Sequence, residues 1–313
     1  MFEIVKSGAK AISVGAARSL LSMNFEPIDD LLSRCHFPKV GHFHAAVSGG
    51  SDSLAMTLIA YSAGLDVEIW NLDHRIRPTS HDESEAVRSF GEWLGVPVHC
   101  FEANVSERNV EASARKQRQS YFPRNVSTGH TMDDQAETLI LNLIRGSGID
   151  GLASMRPSVE KPILNLRKVD TVRICEIFSI TPVIDESNLS DKYRRNRVRM
   201  EVIPLLSQIS NRDVVPIIAR SASILRSDAD FLTELSTGVD TDSVIELLSL
   251  GEVVLTRVLR RRVREVSGYP PSAKAIETLI LYLREKRNFS FQMEGKVVAK
   301  VRRGVLLFET LGE

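Results

Sequence analysis

A six-residue segment combines two glycines, three serines and one aspartate in a single turn. It comprises Ser48, Gly49, Gly50, Ser51, Asp52 and Ser53. A glycine-rich turn before a helix directs several backbone N–H groups at one point, and the helix dipole favours an anion there. The serine hydroxyls add hydrogen-bond donors, and Asp52 becomes a natural magnesium ligand once a phosphate lies beside it. The segment therefore predicts a site for a magnesium-bound polyphosphate, with a tight structural turn as the alternative.

Two better-known phosphate motifs do not describe this turn. The pattern G-x-x-x-x-G-K-[ST] occurs nowhere in the chain, and residues 48–53 contain no lysine. The turn also differs from G-x-G-x-x-G, which weakens the prediction of a dinucleotide-binding fold.

A second group of polar residues lies at the start of a later helical pattern, DDQAETLILNLIRGSG. His130 precedes this pattern, and spacings of three and four put Glu137 on the same helical face as Asp133 and Asp134. Three carboxylates together suit a metal contact or the ammonium group of an amino acid, whereas helix capping explains one of them. Arg145, at the other end of the pattern, either balances the helix dipole or contacts a phosphate.

Strand and helix patterns alternate around these groups. From residue 42 onwards, strand patterns such as HFHAAV, DVEIWNL and PVHCFEAN are each followed by a helical pattern. This alternation is typical of a parallel sheet covered by helices, whose ligands bind outside the carboxyl ends of the strands. We therefore predict an α/β fold, a Rossmann-like parallel sheet with helices on both faces, and a smaller, mostly helical C-terminal domain.

The length of 313 residues favours two domains. The strand signal fades after about residue 190, where helical patterns take over. We predict an N-terminal extension at 1–40, a catalytic domain at 41–210, a linker helix at 211–236 and a C-terminal domain at 237–313. The last domain closes with FSFQMEGKVVAKVRRGVLLFET, which has a strand–turn–strand pattern.

Composition restricts the partners and the compartment. The 40 basic and 40 acidic side chains cancel, so attraction to nucleic acid must come from local patches. One such patch is the stretch 257–303, which holds 13 Lys or Arg against 4 Glu. Cys35, Cys100 and Cys175 form no C-x-x-C pair, which favours reduced thiols in a cytoplasmic protein. No apolar run approaches the ~20 residues that span a bilayer, so no membrane partner is expected. The oligomeric state stays open, with a homodimer as one option.

Several motifs together carry a resemblance to a known family. VSGGSDS is similar to the pyrophosphate loop of the N-type ATP pyrophosphatases, the PP-loop superfamily. The segments NLDHRIR, ASARKQR, GHTMDDQAETLILNLIRGSGIDGLASM, DESN and RRNRVR occur in the order seen in the tRNA(Ile)-lysidine synthetases. The resemblance implies that ATP adenylates the C2 carbonyl oxygen of the wobble cytidine in the CAU anticodon of an isoleucine tRNA. L-lysine then displaces AMP to give lysidine, with ATP and Mg²⁺ as cofactors.

The resemblance also implies roles for individual residues. Catalytic roles fall to Asp52, Asp133, Asp134, Glu137 and Arg145. Beside the 48–53 loop, nucleotide contacts fall to Asp73, His74, Arg77 and His130. Magnesium ligands are Asp52 and Asp134. The tRNA contacts are Arg115, Arg118, Asp185, Asn188, Arg195, Asn196, Arg197 and Arg199.

The chain departs from the family pattern at two places, and two rival functions remain open. Thr131 stands where the family often has a second histidine, and KPIL replaces the usual R-P-L-L. One rival is a tRNA thiolase on the same scaffold, which needs Cys100 and Cys175 to meet in the cleft. The other is a non-catalytic module that binds ATP without turnover.

Overall fold

The computed structural model describes residues 26–73, 80–102, 120–183, 194–285 and 287–310. The chain forms two compact units, Met1–Ser223 and Ile224–Glu313. The division falls inside the stretch 211–236 that the sequence predicts as a linker. The domain bounds given above stay a prediction.

A parallel sheet forms the centre of the first unit. Its strands are β1 (His42–Ala46), β2 (Asp66–Asp73), β3 (Val98–Glu102) and β4 (Ser127–Thr128). They lie in the order β3-β2-β1-β4, and all neighbours are parallel. The chain runs outwards from β1 to β3 and then crosses to the other side of β1. The loops after β1 and β4 therefore leave the sheet in opposite directions, which opens a ligand crevice between them.

Helices flank this sheet, which confirms the predicted α/β fold. In chain order they are α1 (Glu26–Ser33), α2 (Ser51–Ser62), α3 (Ser80–Leu94), α4 (Met132–Ile144), α5 (Ile149–Leu152), α6 (Lys168–Ile177), α7 (Arg194–Arg197) and α8 (Ile203–Ser210). A π-helical turn, Val198–Val202, joins α7 to α8. The long helix α9 (Val215–Thr237) follows and contains the point where the two units divide.

The hydrophobic core of the first unit explains where its helices lie. Helix α2 is apolar on every side because it is enclosed, and Leu58 and Ile59 are fully buried. Alternation along β2 sends Ile69 into this core and turns Trp70 to the opposite face of the sheet. Leu31 of α1 belongs to the same core, so ordered packing begins before residue 41.

The second unit combines helices with a small antiparallel sheet. Its helices are α10 (Val244–Ser249), α11 (Glu252–Ser267) and α12 (Ala273–Glu285), and its strands are β5 (Phe289–Gln292), β6 (Val297–Arg302) and β7 (Val305–Thr310). The predicted strand–turn–strand tail was wrong in its count, because three strands form with two connections. A short 3₁₀ helix, Glu294–Lys296, makes the first connection. Arg303 and Gly304, both with positive φ, make the second.

None of the helices in the described part of the chain is both long and apolar enough to cross a membrane.

Candidate active site

A cavity of about 800 Å³ lies where the sheet order predicts the ligand crevice. Eight of the predicted site residues line it: Ser48, Gly50, Ser51, Asp52, Ser53, His130, Asp134 and Arg199. The cavity has two chemically different ends. The 48–53 loop forms a polar end, and Trp70, Leu72 and Phe122 contribute an apolar end.

The 48–53 loop is held in place from both sides. Hydrogen bonding to β2 continues past the end of β1. Val47 N–H donates to Trp70 O at 2.9 Å, and Asn71 Nδ2 donates to Val47 O at 2.8 Å. Gly49 has φ +83° and its carbonyl accepts from Val183 N–H at 2.9 Å. The turn therefore needs glycine at this position.

The N-terminus of α2 is open to a ligand. The N-cap residue is Gly50, which has no side chain to accept a hydrogen bond from the first N–H groups of the helix. Ser53 stabilises the turn instead: its hydroxyl donates to Gly50 O at 3.0 Å and accepts from Ser48 N–H at 3.2 Å. Uncapped N–H groups at a helix start are the donors that bind phosphate.

Gly129 allows the loop after β4 to approach α2 very closely. A Cβ atom at this position would lie 2.8 Å from Asp52 C and 2.8 Å from Ser53 N. Both contacts are with backbone atoms, which cannot rotate away. The two loops that form the cavity therefore fit together only with glycine at 129.

Two residues of α6 hold Asp52, and sequence reasoning did not find either of them. Lys168 Nζ lies 3.2 Å from Asp52 Oδ2, and the Thr171 hydroxyl donates to Asp52 Oδ1 at 2.5 Å. They are separated from Asp52 by 116 and 119 residues in the sequence. Only their spacing of three at a helix start could have drawn attention to them.

The three predicted carboxylates of α4 are held by different partners. Asp134 completes a capping box, because its Oδ2 accepts from Thr131 N–H at 2.8 Å. Asp133 instead accepts two bonds from Arg167, from Nε at 3.0 Å and from Nη2 at 3.1 Å. Within the described residues, no group of three or more acidic, His or Cys side chains is arranged to hold a metal.

Glu137 is bound by two arginines that the sequence assigned to tRNA. Its side chain is only 1 % exposed, and it accepts from Arg195 Nε at 2.7 Å and Arg199 Nε at 2.5 Å. Arg195 Nη2 also donates to Asp134 Oδ1 at 2.8 Å. These ion pairs link α4 to α7 and the π-helical turn, and of the two arginines Arg199 lines the cavity.

Burial and charge compete in this cluster. Burial alone would raise the pKa of Asp134, but Arg195 and the Thr131 N–H outweigh it, and the pKa is lowered. Burial alone would likewise lower the pKa of Arg199, but its bond to Glu137 raises it. Asp134 and Arg199 therefore both favour their charged forms in this site.

The remaining predicted residues lie away from the cavity or outside the described ranges. Arg145 caps the far end of α4, about 20 Å along the helix from Met132, and is exposed. Arg197 pairs with Glu201 on the surface, whereas Asn196 is buried. Asp73 is buried at the end of β2. His74, Arg77, Arg115, Arg118, Asp185 and Asn188 lie outside the described residues.

Aromatic rings build the apolar end of the cavity. Trp70 stacks on Phe101 with 5.7 Å between ring centroids and meets Phe122 edge-on at 6.1 Å. Flat aromatic and aliphatic surfaces of this kind suit a nucleobase. The cavity thus offers an anion site and a surface for a base in one space.

The comparisons with known proteins agree with this geometry. A family model described as a PP-loop domain matches residues 27–206. The tRNA(Ile)-lysidine synthase of Nocardia farcinica is 35 % identical over 232 residues, which cover 68 % of this chain and 72 % of that protein. The protein of the same name from Nostoc sp. is 30 % identical, over 82 % of this chain and 88 % of that protein. A third, from Symbiobacterium thermophilum, is 30 % identical over 74 % of this chain but only 57 % of its own length.

A solved structure supports the fold independently. A U34-tRNA thiolase from Methanococcus maripaludis, determined with its [4Fe-4S] cluster, aligns with a TM-score of 0.50 at 17 % identity. The alignment covers 64 % of this chain and 79 % of the thiolase, and it bears on the fold alone. From the family match, the relatives and the loop geometry together, this chain belongs to the tRNA(Ile)-lysidine synthase family of PP-loop proteins.

Proposed function

We propose that this protein ligates L-lysine to C2 of the wobble cytidine in the CAU anticodon of an isoleucine tRNA. ATP supplies the driving force and leaves as AMP and pyrophosphate. The observation that carries the proposal is the cavity itself, which combines an uncapped, glycine-rich helix start with an apolar surface for a base. Family membership supplies the substrate class.

The first step is adenylation. The cytosine O2 attacks the α-phosphorus of ATP, and the bond from that phosphorus to the bridging oxygen of pyrophosphate breaks. Negative charge develops on the departing pyrophosphate, which suits the N–H groups at the start of α2 and the hydroxyls of Ser48 and Ser51. The activated C2 then accepts the ε-amine of lysine, which loses a proton as AMP departs.

Magnesium fits the donor chemistry of the polar end. Mg²⁺ usually takes one or two carboxylates together with phosphate oxygens, and Asp52 and Asp134 are carboxylates that line the cavity. Asp52 is the stronger choice because it lies in the 48–53 loop itself, in the first turn of α2. When bound, the ion would withdraw charge from the phosphate oxygens.

Recognition of the lysine substrate needs a carboxylate that binds its α-ammonium group, since its ε-amine is the attacking group. Of the three candidates on α4, Asp134 lines the cavity, whereas Glu137 is enclosed by two arginines. We therefore assign ammonium recognition to Asp134 among these three.

Contact with tRNA is proposed for the second unit. Its basic stretch at 257–303 can bind the phosphate backbone without reading sequence. Part of that charge is already neutralised, since Arg262 pairs with Asp242, Arg284 with Glu252 and Lys300 with Glu309.

The thiolase alternative loses support in this cavity. Among the described residues that line it, none is a cysteine. Cys175 is buried in the core of the first unit, where desolvation and the nearby Asp52 raise the pKa of its thiol to about 12. A thiol with so high a pKa is a poor nucleophile near neutral pH.

Transfer of radioactive lysine to tRNA tests the proposal directly. The wild-type protein should incorporate lysine into isoleucine tRNA with a CAU anticodon, and release AMP and pyrophosphate in equal amounts. Asp52→Asn should abolish incorporation, whereas Asp150→Asn, an exposed aspartate in the first turn of α5, should leave it unchanged. Binding of ATP without any turnover would instead favour the non-catalytic module.

A further inference from the structure

The phosphate end of the cavity has a cation that does not belong to the loop. Residues 48–53 contain neither lysine nor arginine. Phosphate sites commonly include a Lys or Arg side chain, because charge-assisted hydrogen bonds to phosphate are stronger than neutral ones. A polyphosphate bound here would need such a cation from another element.

Among the described residues, two side chains that carry a full positive charge line the cavity, Lys168 and Arg199. Arg199 is committed to Glu137, which is 1 % exposed and would keep only one of its two arginine partners if Arg199 turned away. Lys168 contacts Asp52 at 3.2 Å, and its side chain is 43 % exposed. An ion pair exposed to this degree is weak, so Lys168 can turn to a new partner.

Resting on the function proposed above, we propose that Lys168 binds the pyrophosphate moiety of ATP and stabilises it as the leaving group. Without nucleotide, its ammonium group neutralises Asp52. A divalent cation held by Asp52 would neutralise that carboxylate in place of Lys168, and the ammonium group would then be free to bind the β- and γ-phosphates. Lys168 thereby supplies the positive charge that residues 48–53 themselves do not contain.

The backbone around Lys168 is fixed while its side chain is exposed. Lys168 is the first residue of α6, and its N–H donates to Asp133 Oδ2 at 2.8 Å. Arg167 clamps the same carboxylate and also binds Asp213, just before α9. The helix start is therefore anchored to α4, and the ammonium group is presented to the loop at a defined place.

Thr171 keeps Asp52 in position during this exchange. Its hydroxyl lies 2.5 Å from Asp52 Oδ1 and 2.8 Å from Lys168 O. Asp52 thus keeps one neutral partner on α6 when it loses the charged one. Thr171 is a positioning residue, whereas Lys168 contacts the substrate.

The charge changes in the adenylation step agree with this role. As the bond between the α-phosphorus and the bridging oxygen breaks, that oxygen gains negative charge and pyrophosphate departs. Lys168 supplies a hydrogen bond and a compensating charge, and no proton needs to be transferred.

Binding of pyrophosphate and of AMP to separate samples tests the proposal without relying on turnover. Lys168→Ala should weaken pyrophosphate binding, measured by calorimetry with Mg²⁺ present, by about 10- to 100-fold, the range of a charge-assisted hydrogen bond. The affinity for AMP should not change, because AMP lacks the two terminal phosphates. Arg173→Ala removes an exposed positive charge from the same helix and should affect neither ligand.

Four results separate the explanations. Partial recovery of pyrophosphate binding in Lys168→Arg would support a role for the charge. Equal loss of pyrophosphate and AMP affinity would overturn the proposal in favour of a purely structural role in holding Asp52. A Lys168→Ala variant indistinguishable from Arg173→Ala would overturn it because Lys168 would then contribute nothing to pyrophosphate binding. If the wild-type protein binds pyrophosphate through Lys168 but transfers no lysine to tRNA, then the proposed ligase function fails and the phosphate contact stands.

Discussion

Replacing Gly129 by alanine would place a methyl group against backbone that cannot move aside. The new Cβ would lie 2.8 Å from Asp52 C, 2.8 Å from Ser53 N and 2.9 Å from Asp52 O, whereas ordinary contact begins at 3.4 Å. The N-terminal turn of α2 must therefore shift by about 0.6 Å, and overpacking of this kind costs about 1–3 kcal/mol of folding free energy. Gly129 has no positive φ, so the effect would come from this contact rather than from backbone strain.

The displacement falls on the residues proposed to bind phosphate. A misplacement approaching 1 Å in a catalytic group costs roughly 100-fold in rate, so we expect kcat/KM for ATP to fall about 10- to 100-fold. The assay is radioactive lysine transfer at varied ATP concentration, together with urea unfolding to measure stability. Unfolding shows whether enough folded protein remains for the kinetic loss to be meaningful.

Gly148→Ala is the matched control. Gly148 is also a glycine before a helix, its φ is −74°, and an added Cβ would meet nothing within 4 Å. We expect its kinetics to stay within about twofold of wild type. Equal kinetics for Gly129→Ala and Gly148→Ala would refute the inference that close packing at Gly129 sets the geometry of the loop.

The charged cluster and the cysteines give three further predictions. Arg199→Ala should lower the free energy of unfolding in urea by about 2 kcal/mol, since buried Glu137 keeps only one of its two partners; a loss below about 0.5 kcal/mol would contradict this pairing. The lowered pKa of Asp134 stabilises the folded state above its ordinary value of 3.8, and this contribution is lost as the pH falls through the lower, folded-state value. Thermal unfolding followed from neutral to acidic pH should therefore show a shallower acid decline for Asp134→Asn than for wild type, and parallel curves would refute the shift. The double variant Cys100→Ala, Cys175→Ala should retain lysine transfer; loss of transfer with unchanged unfolding would indicate thiol chemistry.

The loop and the fold class were predictable because their signals are local. Glycines and serines between a strand pattern and a helix pattern predict an anion site without reference to distant residues. Alternating patterns predicted the parallel sheet, and the end of β1 was thereby placed at the ligand edge. The number of strands in the C-terminal tail was predicted wrongly. A 3₁₀ turn and a two-residue turn separate three short strands there, and the patterns of two of these strands merge in the sequence.

The pairing of charges was decided by the tertiary structure alone. Spacing on α4 suggested that Asp133, Asp134 and Glu137 act together, but their partners come from α6, α7 and the π-helical turn. A helical pattern shows which side chains share a face and says nothing about what that face meets. Arg199, predicted to contact tRNA, forms an ion pair with Glu137 that the spacing of the α4 residues could not show.

The sequence by itself determined the phosphate loop, the parallel sheet and the family. The tertiary structure decided that Lys168 and Thr171 meet Asp52 and that Gly129 lies against the start of α2. Turns and helix starts depend on neighbouring residues, so the sequence shows them directly. Contacts between residues far apart in the chain depend on the order of the strands, which no local pattern records.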